Sequence, residues 1–142
     1  MFMLFAGLSV LAGEKKASKI SLPCGLPGVF STVDDIQTQF ETCLSKRRGI
    51  PLYLKEIQTK DQSYCFVMAH RLLGRSNCVT FDPLWCAATT DFYCFVKTEH
   101  GWVPFQKAHA KGLPTEMDFQ AEGNAINVVN NKAVVLKLNP PA

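Results

Sequence analysis

The sequence is most informative at first through what it lacks. Its 142 residues contain no apolar run near the ~20 needed for a membrane-spanning helix. Cys-x-x-Cys is absent, which excludes zinc ribbons and thioredoxin-type redox pairs. There is no Gly-x-Ser-x-Gly elbow and no phosphate-cradling glycine loop. The three histidines, His70, His100 and His109, have no metal-ligand spacing, so neither a metal nor a cofactor is expected. Charge is sparse at 19% of residues, and the net charge of +3 is too mild to indicate a nucleic-acid binder. No Asn-x-Ser/Thr acceptor marks a glycosylated face.

What remains is apolar and aromatic. Ten phenylalanines and two tryptophans exclude a disordered chain, because enough surface can be buried to offset the ordering entropy. The length allows one domain.

Residues 1–12 read MFMLFAGLSVLA, and charge begins abruptly at Glu14, Lys15 and Lys16. A short apolar run ending in small residues is the core of a secretory signal peptide, with Val10 and Ala12 at the positions a signal peptidase reads. The usual basic residue at the start is missing. This segment is expected to be an export signal, which makes the protein secreted or periplasmic. An irregular arm over 13–30 and a single domain over 31–142 follow.

Six cysteines, Cys24, Cys43, Cys65, Cys78, Cys86 and Cys94, lie after that segment. An even set in an exported chain is expected to be oxidised into disulfides, and sequence alone does not choose the pairing. No cysteine is then left to act as a nucleophile.

The pattern predicts an α+β domain: one N-terminal amphipathic helix followed by an antiparallel β-sheet, stapled by disulfides. Ser31 and Thr32 are N-cap candidates with Asp34 and Asp35 behind them. Val33, Ile36, Phe40, Cys43 and Leu44 recur on one helical face, and Gly49 and Pro51 end it. The period then becomes two. In 62–73, Tyr64, Phe66 and Met68 occupy one strand face and Cys65, Val67 and Ala69 the other, as in a central strand covered on both sides. Further strands are expected at 78–81, 85–88, 91–99 and 102–106. Residues 107–124 read as loose and polar. A hairpin closes the chain around Asn130-Asn131. Tyr64-Cys65-Phe66-Val67 recurs as Tyr93-Cys94-Phe95-Val96, which two neighbouring core strands explain without a repeat architecture.

Three functions fit this reading. The first is a small exported module that binds another protein, as an inhibitor, immunity protein or effector does. Its contact candidates are Trp85 and Trp102, and Arg47 and Arg48 in the basic run at the helix end. The second is a secreted hydrolase acting on RNA, nucleic acid entering only as substrate. His70, Arg71, Glu99 and His100 would supply acid, base and cation if the two Tyr-Cys-Phe-Val strands brought them together. The third is a structural subunit of a surface assembly, pairing through the edge strand at 132–138.

Overall fold

In the computed structural model, which describes residues 20–70 and 89–141, the first regular helix begins where its cap is satisfied. Thr32 is extended, and its hydroxyl accepts the Asp35 N–H at 3.1 Å. Helix α1 runs Val33–Phe40, with Asp34 and Asp35 in the first turn against the positive end of the dipole. It widens into a π turn across Glu41–Lys46. Gly49 at φ +69° closes it, its N–H donating to the Ser45 carbonyl at 2.9 Å. Ile36, Phe40, Cys43 and Leu44 are buried, so the face expected from periodicity is the one that docks.

Among the described residues, seven strands follow. β1 (Leu52–Gln58), β2 (Ser63–His70), β3 (Thr89–Thr98) and β4 (Gly101–Lys111) form one antiparallel sheet in that order. β5 (Asp118–Glu122), β6 (Ala125–Asn130) and β7 (Ala133–Leu138) form a second. The single sheet expected from sequence is therefore two. The helix precedes the strands but not the arm over 20–32, so it does not stand at the chain's start.

The two-faced pattern of β2 and β3 explains the second sheet. Cys65, Val67, Ala69, Tyr93, Phe95 and Trp102 join Phe30, Ile36, Phe40 and Leu44 in a helix-side core. Tyr64, Phe66, Met68, Phe92, Cys94 and Val96 join Ile126, Val128 and Leu138 in a second core. One helix covers only one face. The other face needs the β5–β7 sheet, whose Phe119 stacks on Phe66 with centroids 4.6 Å apart.

Two local expectations are corrected. Residues 107–124 are not loose: β4 continues to Lys111, and β5 lies beyond a short 3-10 turn at Pro114–Glu116. The stretch looked polar because β4 is an edge strand. Lys107, His109 and Lys111 are exposed while Ala110 between them is buried. The closing hairpin turns one residue later than expected. Asn130 pairs with Ala133, and Asn131 and Lys132 carry φ of +54° and +66°. A type I′ turn requires positive φ at both central positions, and lysine is a poor occupant of the second. Lys132→Gly is expected to stabilise the protein by about 0.5–1 kcal/mol, read as a higher urea midpoint at unchanged slope. A lower midpoint would contradict this turn geometry.

Candidate functional site

The RNA-hydrolase grouping depends on where β2 and β3 place their ends. The two strands do pair, but antiparallel, with Tyr64 opposite Val96 and His70 opposite Thr90. Glu99 and His100 follow the far end of β3, nine residues beyond Thr90, or roughly 30 Å at ~3.3 Å per residue. His70 is thus separated from Glu99 and His100, and Arg71 lies outside the described residues. The Glu99 carboxylate and the His100 imidazole lie 3.6 Å apart, with side chains 87% and 82% exposed. A solvated pair of that kind contributes little.

The contact candidates divide as well. Trp102 is a core residue, 6% exposed, and its backbone bridges Phe30 through two hydrogen bonds of 2.7 and 3.0 Å. Its indole fills the helix-side core rather than a surface. Arg47 and Arg48 are exposed at the helix end. Trp85 lies outside the described residues, as do the strands expected at 78–81 and 85–88 and the export segment at 1–12.

The cysteines are only partly oxidised. Cys24 and Cys43 form a disulfide that ties the arm to the helix, closing a loop of 19 residues. A bridge of that span is worth about 3 kcal/mol against the unfolded chain. Cys65 and Cys94 are free and buried, contrary to the expectation that all six pair. Cys65 stands opposite Phe95 and Cys94 opposite Phe66, so the two thiols face opposite cores. Burial pushes the Cys65 thiol up to about 12, with the Glu56 carboxylate adding to the effect. Burial raises Cys94 further, and Cys65 beside it adds to the shift. Both shifts work against the thiolate form that a nucleophile needs. Cys78 and Cys86 lie outside the described residues.

Among the described residues, two clefts flank the β1–β2 turn at one end of the sandwich. Thr59 and Gln62 lock that turn: the Thr59 N–H donates to the Gln62 carbonyl at 2.8 Å, and the Gln62 N–H donates to the Thr59 hydroxyl at 3.2 Å. On one side lies a cleft of about 380 Å³ lined by Tyr64, Asn124, Ile126 and Pro141. On the other lies one of about 420 Å³ lined by Lys60, Asp61, Lys97 and Glu99. Tyr64 gives the first cleft a fixed aromatic floor, its ring packed on Phe66 and Phe105 at 6.2 and 6.0 Å. Two cations, Lys60 and Lys97, and two carboxylates, Asp61 and Glu99, line the second. Among the described residues, no group of three His, Cys, Asp or Glu side chains is placed to hold a metal.

A third groove, of about 330 Å³, runs beside the disulfide and is lined by Cys24, Leu26, Thr38, Thr42, Cys43 and Arg47. Sequence reasoning passed over the Thr59–Gln62 turn, which contains no Gly, Pro or Asn and has Asp61 as its turn-favouring residue. No family model matches the chain, and no match emerges among curated proteins or solved structures.

Proposed function

We propose that this chain is a small exported protein that works by binding another protein through the loop end of its sandwich. The observation that supports it best is the pair of clefts flanking one hydrogen-bonded turn, held on a scaffold packed from both faces. Loops on a rigid frame are where recognition surfaces are commonly built. The Cys24–Cys43 bond suits an oxidising compartment, in keeping with residues 1–12 as an export signal and a secreted or periplasmic location. The RNA-hydrolase alternative drew on His70, Arg71, Glu99 and His100 together, and the β2–β3 register, with His70 opposite Thr90, gives that grouping less support than the clefts give to binding.

The test uses immobilised protein in extracellular or periplasmic extract. A partner binding in defined stoichiometry is expected, and Lys60→Glu with Asp61→Arg should weaken it at least about ten-fold without changing the melting temperature. Both residues are exposed, so folding should not respond. Absence of any partner, or a partner indifferent to this double change, would sink the reading.

The assembly-subunit reading has one observation in its favour. β7 is an edge of its sheet, and Val134 on it is 58% exposed. Size-exclusion showing only monomer at high concentration argues against it.

A further inference from the structure

We infer that the Cys24–Cys43 bond is an exchangeable disulfide, opened at Cys24 by an external thiol that enters the groove beside it. Four observations converge on this. First, the two half-cystines differ in access: Cys24 is exposed, whereas Cys43 is 2% exposed. The more exposed half-cystine, Cys24, is therefore the one an incoming thiolate meets first. Second, the groove of about 330 Å³ places both cysteines in a single wall with Leu26, Thr38 and Thr42, leaving room for the approaching group.

Third, Cys24 holds φ +58°, a left-handed conformation that a side chain disfavours, and Gly25 follows at +64°. Such backbone is disfavoured for a residue with a side chain, so the arm at Cys24 has conformational freedom to gain if the bond opens. Fourth, Arg47 lines the same groove four residues after Cys43, on the adjacent turn of the helix. A guanidinium there favours the thiolate that must leave.

The exchange balances as follows. A thiolate of the reductant forms a bond to Cys24 Sγ, the Cys24–Cys43 bond breaks, and its electron pair departs on Cys43 Sγ, which then takes a proton. With a dithiol, the second reductant thiolate attacks the first reductant sulfur and releases Cys24 as a thiolate, which is protonated. The reductant is oxidised to its disulfide, and the protein gains two electrons and two protons. The arm around Leu22 and Leu26 then loses its covalent tie to the helix. Cys65 and Cys94 take no part, since both are buried within the sheet.

The test exposes the folded, full-length protein to reduced glutathione at neutral pH, quenches with acid and maps adducts by mass spectrometry. The adduct is expected on Cys24 and not on Cys43. With dithiothreitol, Arg47→Ala and Arg47→Gln are expected to slow reduction about three-fold or more, Arg47→Lys to restore it, and Arg48→Ala to leave it unchanged. The Gln variant keeps part of the side-chain stem, so loss of packing is separated from loss of charge. Melting temperatures taken alongside exclude reduction through unfolding. A bond that yields only after denaturation, an adduct on Cys43, or equal rates for the Arg47 and Arg48 variants would overturn the proposal.

Discussion

Phe40→Ala is expected to remove about 4 kcal/mol of stability. Phe40 is fully buried at the point where α1 meets the four-stranded sheet. Its ring lies 5.3 Å from Tyr93, 5.9 Å edge-on to Phe95 and 6.3 Å from Phe30, between centroids. Truncation loses the burial of a large ring and leaves a cavity bounded by three other aromatics. Relaxation cannot fill it, because Phe95 and Tyr93 are fixed by strand pairing on both sides of β3. Set against a total stability of ~5–15 kcal/mol, the variant should be marginally folded. Urea unfolding checks it, with Val134→Ala on the exposed edge as a control expected to change stability by less than ~0.5 kcal/mol. A loss below about 1 kcal/mol for Phe40→Ala would mean that the helix does not dock as described.

Gly101→Ala is the second large effect, expected near 3 kcal/mol. Gly101 has φ +126°, and a Cβ there would lie 2.6 Å from the Phe30 carbonyl oxygen. That oxygen accepts the Trp102 N–H at 2.7 Å and belongs to backbone, so it cannot rotate away like a side-chain end. The added methyl must push the arm off the start of β4, breaking the Phe30–Trp102 bridge and disturbing the Phe30–Phe95 edge contact at 5.5 Å. Hydrogen exchange at the Trp102 amide should rise well before the global transition. Gly28→Ala is the matched control, because a Cβ there meets nothing within 4 Å. Equal behaviour of the two variants would contradict the close approach.

Much of the fold was legible in the sequence because burial leaves a period. Tyr64, Phe66 and Met68 against Cys65, Val67 and Ala69 declared a strand covered twice, and those six residues divide between the two cores as alternation requires. The helix face was legible for the same reason. The second sheet was implied by that double cover, yet β5 and the end of β4 were missed because each keeps one face in water. Parity misled the cysteine count. Cys65 and Cys94 each sit inside a Tyr-x-Phe-Val run, and their apolar neighbours marked them as strand core, a stronger signal than an even total. Strand direction was not legible either. Similar strands suggested shared ends, but antiparallel pairing sends Glu99 and His100 away from His70. The cleft end was hardest to see, because a turn joins residues from β1, β3 and the β5–β6 hairpin that no local pattern connects.

The placement of Cys65 and Cys94 equips the molecule with its own pair of reporters. One thiol lies under the helix layer and the other under the β5–β7 layer, on neighbouring strands of the same sheet. Alkylation followed over time and mapped by mass would clock the lifting of each layer separately. Matching rates mean that the sandwich opens as one unit; a faster Cys94 means that the hairpin layer peels away while the helix stays seated.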